Sequence, residues 1–309
     1  GQWLALDPPT ARDGATVGGL LAAADSGPSR LRYGGLRDLV IGVTLVLADG
    51  TVARSGGHVI KNVAGYDLAK LVNGSLGSLA LVAEVVVRLH PRPETSTTTA
   101  AATDAEQATR AVLASAASPL EPVAVEWVSD GDSGRLYVRM DGTRSYVDDA
   151  SERLAELLAG FALAATPLSA DEAETAWQDH GSGVIGADDE TVVRICGLPS
   201  DLGRLVTDAF QAARQAGLDA HIVSSAALGM HTVRFHGGTP QDHAAAFTGL
   251  RDRALAQGAS VLLRNRAPQL DDLVDVLGPK PSSAEILRRV KEQFDPSGRC
   301  APGRFQPWY

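Results

Sequence analysis

The chain has 309 residues, of which 44% are hydrophobic and 21% charged, with a net charge of −9. This is the balance of a soluble globular protein with enough core for two domains. The negative charge opposes nucleic acid or an anionic membrane surface as the main partner, and no basic run of five or six residues offsets it.

Two isolated cysteines, Cys196 and Cys300, are too few for a disulfide framework or a metal cluster. They read as packing residues of a chain in a reducing compartment. No apolar run reaches the ~20 residues of a membrane helix, and no signal peptide is visible.

In chain order, LVIGVTLVLADGTVARSG from Leu39 predicts two strands joined at Asp49-Gly50, a pair suited to a tight hairpin because Gly accepts positive φ. GYDLAKLVNGS then places Leu68, Leu71 and Val72 at helical spacing and stops at Asn73-Gly74. A strand from Leu79 to Leu89 follows, ended by Pro91 and Pro93. The Thr/Ala-rich stretch from Thr95 to Thr103 reads as a domain boundary. Beyond it a helix is expected near 104–117, strands near 122–128 and 134–140, and an amphipathic helix near 147–161. A fuller unit comes next: strand 191–197, helix 201–216, strands 219–225 and 229–236, helix 240–257 and strand 260–265. That β-α-β-β-α-β order is the order of a ferredoxin-like fold and predicts an antiparallel sheet with helices on one face. AEILRRVKEQF reads as a final helix leading into FDPSGRCAPGR.

Glycines stand at the ends of apolar segments: Gly18, Gly19, Gly34, Gly35, Gly65, Gly74 and Gly77. At such places bare backbone can turn sharply and offer N–H groups to phosphate or ring atoms. No run reads G-x-G-x-x-G between a strand and a helix, and no G-x-x-x-x-G-K-[ST] occurs, so neither a Rossmann fold nor a P-loop is supported.

Four ordered motifs carry a resemblance: ATVGGLLAA at 15–23, RYGGLRDLVIGV at 32–43, KNVAGYDLAKLVNGSLGSLALVAEV at 61–85 and FDPSGRCAPGR at 294–304. Together they resemble the vanillyl-alcohol oxidase type of FAD-linked oxidoreductases, in particular the FAD-binding subunits of bacterial glycolate oxidases. Ala80 and Ala83 depart from the Gly and Thr of the family's loop, and Ala301 from the Asn of FDPxGxxNPG. The resemblance implies an α+β architecture: an incomplete FAD-binding domain over 1–93, a ferredoxin-like α+β cap over 94–285, and a segment 286–309 returning to the FAD domain. It also implies a further N-terminal subdomain with a pyrophosphate loop ahead of ATVGGLLAA. The expectation is that this portion lies outside the sequence. The 309 residues alone should then hold FAD weakly, be inactive, and expose an apolar face.

By the same resemblance, Thr16, Gly18 and Gly19 pass close to FAD, and Gly74, Ser75, Gly77 and Ser78 line it, with Val82 on the strand behind. Lys61, Asn62, Gly65 and Tyr66 of KNVAGYD would present a cation, an amide, bare backbone and a phenol. Each segment can also be read more simply, as a turn or a helix cap. His58 stands where the family often has Lys, and nothing there suggests a covalent flavin link.

The sequence leaves the catalytic residues unknown. His221, His231, His236 and His243 form no HExxH or HxH pattern, so no metal site is expected. No nucleophile elbow occurs. Arg194, Arg234, Arg264 and Arg266 lie on or beside cap strands, and any one of them could hold a substrate carboxylate; strand parity does not decide which.

The implied function is a cytoplasmic FAD-binding subunit that oxidises a 2-hydroxy acid such as glycolate or D-lactate, or relays its electrons. Its partners would be a second flavin subunit and an iron-sulfur subunit, through which any membrane association would be made. A non-catalytic FAD-binding or scaffolding subunit, and a self-sufficient flavin oxidase of other substrate range, remain open.

Overall fold

The structure, a computed structural model, describes residues 1–58, 65–131 and 133–308. It divides into two compact units, Gly1–Arg92 with Leu277–Tyr309, and Pro93–Val276.

The first unit is built on a three-stranded antiparallel sheet. Helix α1 (Val17–Ala23) precedes strands β1 (Val40–Val46) and β2 (Val52–Gly56), helix α2 (Leu68–Val72) and strand β3 (Leu81–Val87). β1 is central, with β2 on one side and β3 on the other. The β1–β2 hairpin turns at Asp49-Gly50 as the sequence predicts, with φ of +90° at Gly50 and the Asp49 carboxylate accepting from the Thr51 N–H at 2.8 Å. At Gly56 a side chain is excluded outright, since a Cβ would lie 2.1 Å from the Ile41 carbonyl oxygen at a φ of +77°. Leu20, Leu21, Val43, Leu45, Val72 and Ala80 form the core between sheet and helices. The helix Ala284–Phe294 and the FDPSGRCAPGR tail belong to this unit.

The second unit holds one eight-stranded antiparallel sheet. Its strands and helices in chain order are β4 (Thr95–Thr103), α3 (Ala105–Ala116), β5 (Ala124–Ser129), β6 (Gly134–Gly142), α4 (Arg144–Ala159), β7 (Thr166–Pro167), α5 (Ala170–Ile185), β8 (Thr191–Cys196), α6 (Leu202–Ala216), β9 (Asp219–Ser225), β10 (Met230–His236), α7 (Pro240–Ala256) and β11 (Ser260–Asn265). The sheet order is β11-β8-β10-β9-β5-β6-β4-β7. Each half is a β-α-β-β-α-β unit in which the fourth strand lies outermost beside the first, and the second strand lies innermost. The halves join through the antiparallel β9–β5 pair, where Ser224 faces Trp127. The ferredoxin-like reading therefore applies twice.

The Thr/Ala-rich stretch forms a strand, β4, paired with β6 from Thr95↔Gly142 to Thr103↔Gly134, and the division between the two units falls just before it, between Arg92 and Pro93. The helices do not all lie on one face. α7 meets the face that carries Thr191, through a His243 Nδ1–Thr191 Oγ1 hydrogen bond of 2.9 Å. α5 covers the opposite face, where its Gly183 sits against Val223 and His221. Gly181, Gly183 and Gly186 do have the G-x-G-x-x-G spacing, but they close α5 rather than open a helix after a strand.

Candidate functional site

In the first unit the fold brings two of the predicted glycine segments together. Thr16 caps α1, its hydroxyl accepting from the Gly19 N–H at 3.1 Å. Gly18 lies against β3, so near that an added Cβ would stand 3.4 Å from the Val82 carbonyl oxygen. The turn 74–78 then docks on the far end of α1: the Gly74 N–H donates to the Leu21 carbonyl at 3.1 Å and the Leu76 N–H to the Ala22 carbonyl at 2.8 Å. Those carbonyls belong to the last turn of α1, so the contact also serves as its cap.

The turn itself is tightly wound. Gly74, Leu76 and Gly77 have φ of +79°, +52° and +75°, the left-handed region that glycine tolerates and leucine adopts at a cost. Ser78 is buried, its hydroxyl and its N–H both donating to the Ser75 carbonyl at 2.7 and 3.0 Å. Thr16, Gly18 and Gly19 at the start of α1, Val82 of β3 beside Gly18, and Gly74, Ser75, Gly77 and the buried Ser78 at the other end of α1 thus lie around one short helix, the α1–turn–β3 patch. At Gly77 a Cβ would meet nothing within 4 Å, and the exposed apolar side chains of Val17 and Leu81 flank the patch in sequence.

Gly65 and Tyr66 are placed differently. The Tyr66 carbonyl accepts from Ser55 Oγ at 2.7 Å, which ties this segment to β2, the edge strand across β1 from β3. The Tyr66 ring is 91% exposed. Lys61 and Asn62 lie outside the described residues.

Sequence reasoning missed Lys291 and Asp295, four apart at the end of the helix Ala284–Phe294. The Lys291 ammonium donates to the Ser78 carbonyl at 2.7 Å, to the Cys300 carbonyl at 2.7 Å and to Asp295 Oδ2. The Asp295 carboxylate also accepts from the Cys300 and Arg299 N–H groups at 2.7 and 2.9 Å. Burial works to raise the Asp295 pKa, but the hydrogen bonds from Lys291 and the two backbone N–H groups hold it well below the usual carboxylate range. Burial and the Asp295 charge raise the Cys300 thiol. Cys196 and Cys300 are free and half-buried rather than packed in a core. The signal for the Lys–Asp pair was the i,i+4 spacing between Lys291 of the last helix and the Asp of FDP.

In the second unit, register places Arg194 and Arg234 on the α5 side of the sheet, with His221 and Thr232. Arg234 lies 3.4 Å from Glu190 and donates to the Ser182 carbonyl, while Arg266 is paired with Asp271. The histidines are divided: His221 shares that side, His231 is buried on the other, and His243 is on α7.

A family of FAD binding domains matches residues 1–56. Over 154 residues the chain is 35% identical to glycolate oxidase subunit GlcE of Escherichia coli, covering 50% of this chain and 43% of the relative. Over 84 residues it is 48% identical to glycolate oxidase subunit GlcD of Bacillus subtilis, covering 27% of this chain and 18% of the relative. The chain is thus similar to FAD-linked oxidoreductases.

It spans less than half the length of those two relatives. A longer match, 25% identical, runs over 97% of this chain and 72% of a D-lactate dehydrogenase of Archaeoglobus fulgidus. Among solved structures, an alkyldihydroxyacetonephosphate synthase superposes with a TM-score of 0.71 at 16% identity, over 99% of this chain and 61% of that one. A xylooligosaccharide oxidase from Myceliophthora thermophila gives 0.63 at 15% identity, over 96% and 71%. These likenesses show the vanillyl-alcohol oxidase type of fold.

The domain family matched over residues 1–56 binds FAD, and the α1–turn–β3 patch offers chemistry that fits this cofactor. The patch offers backbone close to solvent at Gly74 and Gly77, a hydroxyl at Ser75, and apolar surface at Val17 and Leu81, the mixture a large, partly aromatic, partly anionic ligand requires. Among the described residues no helix is long and apolar enough to cross a membrane.

Proposed function

We propose that this chain is the FAD-binding part of an oxidoreductase that takes two electrons from a 2-hydroxy acid of the glycolate or D-lactate class. The docking of the 74–78 turn on α1 carries the reading, because it assembles in one place the two segments that the family resemblance assigns to the flavin. The substrate class rests on the printed names of the glycolate oxidase and D-lactate dehydrogenase relatives. When bound, FAD supplies the hydride acceptor. The chain's own residues then have a narrower task. Thr16 fixes the start of α1, Gly18 lets the helix approach β3, and Gly74, Ser75 and Gly77 present backbone and hydroxyl to the cofactor.

Of the four arginines that could hold a substrate carboxylate, Arg194, Arg234, Arg264 and Arg266, the first two share the α5 side of the sheet, and Arg234 and Arg266 are engaged with Glu190 and Asp271. The engagement of those two arginines also favours a second reading, a non-catalytic FAD-binding or scaffolding subunit whose partner holds the substrate site. In either case the partners would be a second flavin subunit and an iron-sulfur subunit. Stopped anaerobic mixing of the full-length protein with glycolate and with D-lactate separates the two. Reduction by either acid supports the catalytic reading, and turnover that appears only in the presence of the partner subunits supports the accessory one.

A further inference from the structure

Lys291 has three N–H donors and the structure gives it three acceptors: the Ser78 carbonyl, the Cys300 carbonyl and the Asp295 carboxylate. The Asp295 side chain is fully buried and that of Lys291 largely so. A surface ion pair of this spacing would be worth little. Here the ammonium is desolvated and every proton has a partner, so none of the three acceptors can move without stranding a buried charge or carbonyl.

What those acceptors belong to gives the arrangement its meaning. Asp295 and Cys300 hold the shape of the FDPSGRC turn, which Ser297 Oγ and the Arg299 N–H also clamp onto Asp295. Ser78 closes the 74–78 turn, 213 residues away in sequence. The other end of that turn is held by the Leu21 and Ala22 carbonyls, and its middle carries the left-handed Leu76 between two left-handed glycines. Such a backbone persists only where its surroundings fix both ends. α1 holds Gly74 and Leu76, and Lys291 grips the Ser78 carbonyl at the other end.

We infer that Lys291 is a positioning residue for the cofactor: by gripping the Ser78 carbonyl it holds the Gly74–Ser78 turn in the conformation that meets FAD, with Asp295 orienting the ammonium. The inference rests on the reading of that turn as part of the FAD site. It assigns the helix Ala284–Phe294 and its tail a part in cofactor retention without direct contact.

The test uses the full-length protein and two readouts, FAD affinity by flavin fluorescence and amide hydrogen exchange across residues 74–80 without FAD. Lys291→Met should weaken FAD binding by roughly ten- to a hundredfold, the scale set by a lost hydrogen bond to a charged group, and speed exchange at Leu76 and Ser78. Lys291→Met/Asp295→Asn, which leaves no orphaned charge, guards against simple misfolding and should show the same two effects with a smaller drop in melting temperature. Lys291→Arg should recover part of the affinity. A lowered melting temperature with FAD affinity within twofold of the parent in both Met variants would overturn the inference and leave the FAD site standing. A parent protein that binds no FAD would instead overturn the reading beneath it, whatever the exchange data show.

Discussion

Gly18 lies against Val82, where an added Cβ would stand in van der Waals contact, 3.4 Å from the Val82 carbonyl oxygen and 3.6 Å from its Cβ. The contact sets the distance between α1 and β3, and through α1 it places the Leu21 and Ala22 carbonyls that hold the 74–78 turn. Gly18→Ala should therefore be tolerated in the FAD-free protein. Gly18→Leu should push α1 off the sheet at a cost of about 1–3 kcal/mol, read as a lowered denaturant midpoint at unchanged m-value.

Ser75 offers a way to probe the proposed cofactor patch without disturbing the fold. Its side chain is half-buried at the mouth of the turn, and its structural work is done by the backbone carbonyl that Ser78 grips. Ser75→Glu should place a negative charge beside an anionic cofactor. The expected result is at least a tenfold loss of FAD affinity, about 1.4 kcal/mol, with the melting temperature of the FAD-free protein unchanged.

In the second unit Gly183 is required for α5 to dock. A Cβ there would lie 2.6 Å from Val223 Cγ2 and 2.8 Å from His221 Nε2, so Gly183→Ala should destabilise the protein by about 1–3 kcal/mol through overpacking. Close by, His180 Nε2 and Glu126 Oε2 are 2.7 Å apart, with side chains 4% and 1% exposed, and Ser225 donates to the same oxygen. Removing one partner strands the other. Glu126→Ala should cost about 3–5 kcal/mol, and the loss in Glu126→Leu/His180→Leu should fall well short of the sum of the single losses. Urea unfolding of the four proteins in the cycle measures this.

His231 predicts a pH dependence. It is fully buried, its Nδ1 is paired with Ser224 Oγ at 2.6 Å, and Nε2 has no hydrogen-bond partner among the described residues. Burial pulls its pKa down to about 4. Between pH 6.5 and 4 the unfolded chain therefore binds a proton that the folded chain refuses. This contribution to stability is complete above pH 6.5 and falls as the pH drops through that window, by about 3 kcal/mol in all. Comparing urea unfolding at pH 7 and pH 4.5 for the parent and for Ser224→Ala/His231→Leu isolates the effect, because the variant should lose less stability on acidification.

Where side-chain chemistry has a short range, the sequence was a good guide. Asp49-Gly50 marked the hairpin and Asn73-Gly74 the end of α2, because both depend on backbone freedom at one residue. The strands of the second unit from Ala124 onward follow their β-branched and aromatic content. β4 escaped notice because Thr98, Thr99, Ala100 and Ala101 carry little hydrophobic signal, although the sheet buries them. α5 was missed because it buries His180, Gly181 and Gly183, residues that look polar or helix-breaking until Glu126 and Val223 are placed beside them. Of the site, the glycine turns were legible one at a time. Their apposition was not, since it depends on hydrogen bonds from Gly74 to Leu21 and from Lys291 to Ser78 that span 53 and 213 residues.

The most direct test of the central claim is the visible absorbance spectrum of the purified full-length protein, recorded before and after anaerobic addition of glycolate and of D-lactate. A flavin band that bleaches with either acid is the predicted result; a protein that purifies without flavin and takes up none when FAD is supplied would contradict the account.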